Sequence, residues 1–438
     1  MDSPKVAFIS LGCSKNLVDT ERLMKMMESV GLRVAFEPGE EFFDLPGKTY
    51  VVINTCGFIG DAKEESINEI LRWCEPRREG RIDGLYVMGC LSQRYLDQLR
   101  PEIPEVDSWR GKTDWSSLAR EIASRQPGSL PYDRVLTTPR HSAYLKIAEG
   151  CNRMCAFCAI PLITGRYRSR PLEEIIEEAR MLAARGVKEL NVIAQDLTSY
   201  GIDLYGRQDI ARLTDALADV EGIEWIRLHY AYPHDFPMDL LDVMARRDNV
   251  CKYLDIALQH SADKVLGNMR RHITRAETEA LIAEMRRRVP GIHIRTTLMT
   301  GFPGEGEEEF ADLMDFVRTQ RFERMGAFAY CEEDDTYAAR HYTDDIPSGV
   351  KQQRLDRLMA LQQEISSEIQ QQKVGRTFKV LIDREEPDNY VGRTEFDSPE
   401  VDPEVLVAKT RPLERGHFYN VKITSALPFE LMGEVVDD

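Results

Sequence analysis

The chain has 438 residues, of which 42% are hydrophobic and 30% charged, a balance that excludes a largely disordered protein. No apolar run reaches the roughly 18 residues of a membrane helix, and the first residues lack the pattern of a signal peptide, so we expect a cytoplasmic protein. The net charge of −17 disfavours nucleic acid and favours a basic protein or a small molecule as the partner, with solubility alone as the alternative explanation.

Residues 1–126 alternate apolar, strand-like runs with helical patterns. The predicted strands are Lys5–Leu11, Tyr50–Asn54 and Leu85–Met88, and the predicted helices are Asp19–Val30, Asp61–Cys74 and Gln93–Arg100. Continuous apolar strands separated by helices predict a doubly wound parallel α/β domain, which we place at residues 1–130. Its end falls in a predicted linker at Gln126–Pro131.

From Tyr144 the alternation restarts with longer units. Six strands are predicted, at Tyr144–Ala148, Glu189–Ala194, Trp225–His229, Tyr253–Leu258, Ile292–Met299 and Met325–Tyr330. Six units do not fill an eight-unit barrel, so we expect an open, partial (β/α)6 barrel with its site at the carboxyl ends of the strands. This domain spans residues 137–372 and includes a connecting helix at Val350–Gln372. Short strands then predict a small all-β barrel at residues 374–438.

Among the nine cysteines, Cys151, Cys155 and Cys158 form a CxxxCxxC triplet just after the first barrel strand. Three thiolates on one loop can hold three corners of a cubane iron–sulfur cluster, which leaves one iron free for a substrate or cofactor. A zinc site is the alternative, although zinc typically takes four ligands.

A second set of cysteines lies in the N-terminal domain. Cys13, Cys56 and Cys90 each follow a predicted parallel strand, and open α/β sheets bind ligands at that edge. The three thiolates could therefore meet and hold a second cluster, with three buried apolar thiols as the alternative.

The triplet loop, EGCNRMCAFCAIP at 149–161, resembles the motif of radical S-adenosylmethionine (SAM) enzymes, including the aromatic Phe157 before the last cysteine. Together with the N-terminal cysteines, the whole chain resembles the radical SAM methylthiotransferases, which have a cluster domain, a radical SAM barrel and a C-terminal TRAM barrel in this order. The stretches GCSKNLVDTE at 12–21 and AQDLTSYG at 194–201 resemble the RimO type. Ala257, Gly306 and Thr164 depart from the family pattern.

The resemblance implies two 4Fe–4S clusters and SAM as cofactors. The metal ligands would be the cysteines of the two sets, and the cofactor-binding residues would be Phe157, Gln195, Asp196 and Gly301. A capping role for Asp196 at a strand–helix turn is the alternative. No catalytic residue is assigned beyond the cluster ligands. Arg166, Arg168 and Arg170 could bind a carboxylate or form a solvated basic loop.

The resemblance also implies a function, which is to add a methylthio group to the β-carbon of one aspartate of S-twelve, the twelfth small-subunit ribosomal protein. That carbon carries an unactivated C–H bond, so a radical cofactor has to perform the difficult step. A flavodoxin or ferredoxin is the expected electron donor.

Two other functions remain open at this point, a tRNA-adenosine methylthiotransferase (MiaB type) and a non-enzymatic iron–sulfur scaffold or electron carrier. The C-terminal barrel has eight Lys and Arg against fourteen Asp and Glu. An RNA-binding barrel is expected to be basic, so we predict no direct nucleic acid binding by this TRAM domain and prefer the ribosomal protein as substrate.

Overall fold

The computed structural model describes residues 3–123 and 132–437, and three large sheets organise them in chain order. A parallel α/β sheet comes first, an open six-stranded parallel sheet follows, and a closed five-stranded β-barrel ends the chain. This is the predicted fold class, which is therefore confirmed. The predicted linker at Gln126–Pro131 lies outside the described residues.

The N-terminal sheet has five parallel strands. They are β1 (Lys5–Ser10), β2 (Arg33–Phe36), β3 (Thr49–Thr55), β4 (Gly84–Gly89) and β5 (Ser108–Trp109). Their order is β2-β1-β3-β4-β5, with the three predicted strands at the centre. β2 and β5 are absent from the sequence prediction because such short edge strands show no readable hydrophobic period.

Helices cover both faces of this sheet. They are α1 (Ser14–Ser29), α2 (Glu40–Phe43), α3 (Gly60–Arg78), α4 (Cys90–Glu102) and α5 (Ser117–Ala123). Alternate residues of β1 contribute to two apolar clusters, Ala7 to one and Phe8 to the other, as expected for a sheet buried on both sides. α1 begins at Ser14 rather than at the predicted Asp19, because its first turn buries polar side chains that carry no hydrophobic period.

The central domain is a parallel sheet of six strands with a short ribbon. The strands are β6 (Ser142–Lys146), β7 (Ala148–Glu149), β8 (Arg168–Ser169), β9 (Glu189–Ile193), β10 (Trp225–Ala231), β11 (Val250–Gln259), β12 (His293–Thr300) and β13 (Arg324–Ala329). The order β13-β12-β11-β10-β9-β6 leaves the sheet open between its two ends, as the six predicted units require. β7 and β8 form the antiparallel ribbon beside it.

Helices of this domain pack outside the sheet or follow its strand ends. They are α6 (Ile160–Thr164), α7 (Leu172–Ala184), α8 (Ile202–Tyr205), α9 (Ile210–Ala218), α10 (Asp239–Arg246), α11 (Asp263–Asn268), α12 (Arg275–Arg288), α13 (Glu307–Gln320), α14 (Tyr337–His341) and α15 (Ser348–Gln371). The connecting helix α15 packs against β13 and α13, and its Leu358 and Ile365 are buried in the core of the partial barrel. Across the described residues, no helix is both long and apolar enough to cross a membrane.

The C-terminal barrel consists of β14 (Thr377–Glu385), β15 (Asn389–Thr394), β16 (Glu404–Ala408), β17 (Phe418–Leu427) and β18 (Glu430–Val435). It closes in the order β14-β15-β16-β18-β17 around a small apolar core. Closure leaves none of its strands with an unpaired edge.

This small barrel docks on the amino ends of the central strands. Glu189, at the start of β9, pairs with Arg227 (3.0 Å) and with Arg393 of the small barrel (2.8 Å), and all three side chains are buried. Asp402 accepts a hydrogen bond from Tyr253 (2.9 Å). The amino end of the partial barrel is therefore covered, and its carboxyl end is left for the N-terminal domain.

Candidate active site

A cavity of about 310 Å³ lies between the N-terminal domain and the carboxyl end of the partial barrel. All six cysteines of the two predicted sets line it: Cys13, Cys56, Cys90, Cys151, Cys155 and Cys158. The strand ends of the N-terminal sheet therefore face the mouth of the barrel, which places the two sets on opposite walls of one cavity.

The N-terminal set is assembled by the sheet. β1, β3 and β4 are neighbours, so the residues that follow them meet at one edge. Cys56 directly follows β3, and Cys90 is the first residue of α4. Gly12, with φ of 89°, permits the close approach of the loops, because a Cβ there would lie 2.8 Å from the Cys56 Cβ. Cys13 comes next in that same loop.

Asn16 ties the three cysteine loops together. Its Nδ2 donates to the carbonyl oxygens of Leu11 (3.1 Å) and Thr55 (3.2 Å). Its Oδ1 accepts from Lys112 Nζ (2.7 Å) and from the Cys90 thiol (3.6 Å). Asn16 is almost fully buried, so these bonds fix the relative position of the strand ends.

The barrel set lies on the loop between β7 and α6. The backbone N–H of Arg153 donates to Cys151 Sγ (3.4 Å), and Arg271 Nη1 donates to Cys155 Sγ (3.3 Å). The Arg271 guanidinium stacks 4.1 Å from the ring centre of Tyr232, whose hydroxyl is 3.8 Å from Cys155 Sγ. A backbone N–H and a guanidinium thus donate to two of the three sulfurs and favour negative charge on them.

Most of the thiols are too deeply buried to ionise by themselves. Burial raises the pKa of Cys90 and of Cys151 to about 12, and it also raises the pKa of Cys56 and of Cys158. Neighbouring sulfurs add to this rise: Cys13 raises the pKa of Cys56 and of Cys90, and Cys155 raises the pKa of Cys151 and of Cys158. These sulfurs therefore become thiolates where a bound cation offsets their desolvation, as iron does.

Cys13 differs from Cys56 and Cys90, the other thiols of its set. The thiol is exposed within the cavity. Desolvation by the surrounding walls acts to raise its pKa, but the charges of Lys15 and Lys112, with two backbone hydrogen bonds, outweigh it and lower the pKa. The N-terminal set thus contains one thiol that ionises more readily than its neighbours.

The arrangement does not fit a single metal ion. Within residues 3–123 and 132–437, no three His, Cys, Asp or Glu side chains are grouped closely enough to hold one. Zinc would hold its sulfurs at about 2.3 Å and hence within about 4 Å of one another. A cluster binds each cysteine through a different iron atom and spreads the sulfurs more widely, so the donor set fits a cluster better than zinc.

Asp196, a predicted SAM contact, lines the cavity, but its carboxylate oxygens already accept hydrogen bonds from other residues of the protein. It accepts from the backbone N–H of Thr198 (2.9 Å), from two hydroxyls and from Arg153 Nε (2.7 Å). The capping role that the sequence left as an alternative is thus confirmed. A direct contact with SAM stays a prediction.

The other predicted cofactor contacts differ in position. Phe157 and Gln195 line the cavity, and Phe157 packs edge-on against Phe302. Gly301 is not among the described residues that line it. Its φ is 74°, and a Cβ there would run into the Lys351 side chain, so packing alone requires glycine.

The basic residues after the triplet also lie away from the described cavity lining. Arg170 pairs with Glu178 (2.6 Å) and donates to the Lys146 carbonyl oxygen (2.7 Å). Arg166 and Arg168 are exposed. The carboxylate that Arg170 binds is therefore one of the protein's own.

Two groups of ion pairs fasten the N-terminal domain to the barrel. Asp19 of α1 pairs with Lys146 of β6. In the second group, Glu333 accepts from Lys63 and from Arg94, both at 3.0 Å. Removing one partner of such a buried pair is costly, so these contacts hold the two cysteine sets in place.

Several further residues line the cavity, among them five charged or aromatic ones that sequence reasoning did not single out as functional: Lys15, Arg153, Tyr230, Tyr232 and Arg271. Arg153 lies between Cys151 and Cys155, so its position in the motif could have identified it as a residue of the site. Lys15 lies in the stretch 12–21 that resembles the family, two residues after Cys13. The other three are distant from both cysteine sets in sequence and carry no spacing that could have identified them.

Three family models match the chain. They are "Uncharacterized protein family UPF0004" at residues 5–111, "Radical SAM superfamily" at 145–317 and "TRAM domain" at 374–436. Together they cover each of the three folded parts.

Similar proteins cover the whole chain. "Ribosomal protein uS12 methylthiotransferase RimO" of Phocaeicola vulgatus is 56% identical over 98% of this chain and 99% of its own. The proteins of the same name from Porphyromonas gingivalis and Cytophaga hutchinsonii are 55% and 48% identical over 99% of this chain, and over 99% and 98% of their own.

Solved structures resemble the chain in fold. The radical SAM methyltransferase TsrM of Kitasatospora setae, with cobalamin and a [4Fe-4S] cluster bound, has a TM-score of 0.55 at 17% identity, covering 75% of both chains. The cobalamin-dependent radical enzyme OxsB has a TM-score of 0.53 at 12% identity, covering 83% of this chain and 56% of its own. At these identities the likeness concerns architecture alone.

Proposed function

The chain belongs to the RimO family of radical SAM methylthiotransferases, and we propose that it adds a methylthio group to the β-carbon of an aspartate in ribosomal protein uS12. It is an enzyme whose family uses 4Fe–4S clusters and SAM. The proteins named RimO are 48% to 56% identical over nearly its whole length. That similarity favours the ribosomal protein over tRNA and over a non-enzymatic scaffold.

One observation carries the proposal, which is that two sets of three cysteines share one cavity. Methylthiolation of an unactivated carbon requires a radical source and a sulfur source to reach the same atom. Two sites on opposite walls of a 310 Å³ cavity meet this requirement, whereas two distant clusters would suit an electron carrier.

In this proposal, Cys13, Cys56 and Cys90 hold one 4Fe–4S cluster, and the CxxxCxxC loop holds the other. When bound, the clusters and SAM supply hydrogen abstraction from carbon and the transfer of sulfur and methyl, which acid–base groups cannot. Asn16 holds the N-terminal ligands in register through its four hydrogen bonds. Arg271 places positive charge beside Cys155.

The surface charge supports a basic protein as substrate. The chain carries a net charge of −17, and the TRAM domain has an excess of acidic residues. Opposite charge steers the encounter of the two proteins and disfavours RNA at the TRAM surface. A flavodoxin or ferredoxin as electron donor and a cytoplasmic location complete the proposal.

Mass spectrometry of ribosomal proteins from cells with and without this gene tests the proposal. Replacement of hydrogen by a methylthio group adds about 46 Da, so uS12 from the deletion strain should be lighter by that amount. Reintroducing the gene should restore the heavier form. An unchanged uS12 mass together with a lost methylthio group on tRNA would overturn the choice of substrate.

A further inference from the structure

Lys15 is a buried cation on the wall of the six-cysteine cavity. Only 5% of its surface is exposed, and it lies two residues after Cys13 in the first turn of α1. Its Nζ is 3.5 Å from the ring centre of Tyr230, which belongs to the barrel. The ammonium therefore lies where the two domains meet.

The other cations of the cavity already have partners. Arg153 pairs with Asp196 (2.7 Å). Arg271 donates to Cys155 Sγ and to the Ala257 carbonyl oxygen. These contacts hold the cluster loop and leave little capacity for a further anion.

Lys15 has no such carboxylate. Among the described residues, none forms an ion pair with it, and the nearby Glu149 pairs with Lys146 (2.8 Å). A charged side chain is almost never buried without an opposite charge, because desolvation disfavours it. The Tyr230 ring face, which attracts cations, and the nearby Cys13 sulfur compensate in part, but neither is a carboxylate.

The backbone of the barrel is distorted to present that ring. Tyr230 has φ of 66°, in the left-handed region, and lies at a register shift near the end of β10. Gln259, at the end of the neighbouring β11, has φ of 73° and also follows a register shift. Such conformations in residues other than glycine cluster at functional sites. Both residues line the cavity.

We propose that Lys15, seated on the Tyr230 ring, binds the side-chain carboxylate of the target aspartate. This inference rests on the proposed function and names a specificity-determining residue for it. The reacting β-carbon is bonded directly to the carboxylate carbon, so an ion pair at Lys15 would hold that carbon beside the N-terminal cysteine set. Asparagine lacks the charge, and glutamate would displace the carbon by one methylene.

The test compares Lys15→Gln, Lys15→Arg and Lys25→Gln in the reconstituted holoenzyme. Lys25 lies on the same helix and pairs with Glu28, so it is the matched control. Each protein receives uS12 and a variant uS12 with asparagine at the target position. Product is measured by mass spectrometry, and binding of both substrates without SAM is measured by fluorescence anisotropy.

The wild-type and Lys25→Gln proteins should bind and convert the aspartate form better than the asparagine form. In Lys15→Gln, kcat/KM and affinity for the aspartate form should fall about 100-fold, the usual effect of removing one partner of a desolvated ion pair, with little change for the asparagine form. Lys15→Arg should recover part of the preference.

An unchanged preference in Lys15→Gln would overturn the inference while leaving the proposed function intact. Loss of SAM binding in that variant would assign Lys15 to the cofactor's carboxylate and also overturn it. If Lys15→Gln does not fold, Tyr230→Leu should weaken the preference for the aspartate substrate, and Tyr230→Phe should keep it. Equal behaviour of these two variants would contradict a role for the contact between Lys15 and the ring. A wild-type enzyme that leaves uS12 unmodified removes the proposed function and this inference together.

Discussion

The two cysteine sets reach the same cavity by different routes. The barrel set occupies eight consecutive residues of one loop, Cys151 to Cys158, whereas the N-terminal set is drawn from three strand ends. The first depends on local chain geometry and the second on the order of a parallel sheet. The comparison teaches that a motif visible in sequence and a constellation built by topology can serve as equal halves of one site.

Removing the loop set should have the largest effect. Alanine at Cys151, Cys155 and Cys158 should abolish both SAM cleavage and methylthiolation, because these thiols are the proposed ligands of the radical-generating cluster. Anaerobic reconstitution should yield about four iron atoms per chain instead of about eight. Retained formation of 5′-deoxyadenosine would assign radical chemistry to another site.

Removing the strand-end set should separate the two activities. Alanine at Cys13, Cys56 and Cys90 should also leave about four iron atoms, but SAM cleavage to 5′-deoxyadenosine should persist while the methylthio product disappears. The reason is that the sulfur-holding site is lost and the loop set is intact. Full methylthiolation by this triple variant contradicts the division of labour.

Asn16 offers a sharper test of assembly by topology. Asn16→Ala removes the side-chain bonds to Leu11, Thr55 and Cys90, and we expect it to lower the free energy of unfolding by about 2–4 kcal/mol. Iron should be lost from the strand-end site and retained at the loop site. Asn152→Ala, in the cluster loop, is the contrasting variant. Equal iron loss from both sites in Asn16→Ala would show that the two halves do not assemble separately.

The smallest expected effect concerns Asp19, whose carboxylate makes the free energy of unfolding depend on pH. Its pKa is lowered to about 2, because the charges of Lys112 and Lys146 outweigh the effect of burial. The lowered pKa stabilises the folded protein fully at pH values above the pKa of the unfolded chain, which is near 4. This stabilisation is lost as the pH falls towards 2. That contribution is about 2 kcal/mol.

Urea unfolding of the cluster-free protein measures this contribution. Between pH 6 and about pH 3, the wild-type protein should lose more stability than Asp19→Asn, which lacks the titrating group. Parallel pH profiles of the two proteins would mean that this interdomain pair does not stabilise the fold.

Much of the fold could be predicted because its central strands are long, apolar runs. β3 coincides with a predicted strand because burial on both faces leaves a nearly continuous hydrophobic signal. β9 coincides as well, on the signal of Leu190, Val192 and Ile193. β2 and β5 could not be predicted, since edge strands of four and two residues bury too little apolar surface to leave a hydrophobic pattern in the sequence. The start of α1 was placed late, since its first turn is specialised for the site rather than for the core.

By itself, the sequence determined the family of this protein, its two sets of three cysteines, its open barrel and its acidic TRAM domain. Only the tertiary structure decided what surrounds them. Arg271 meets Cys155 across 116 residues, and Lys15 meets Tyr230 across the domain boundary. Such contacts leave no periodic or spaced pattern, because they arise where separate elements come together in the fold and each side chain is placed by its own element.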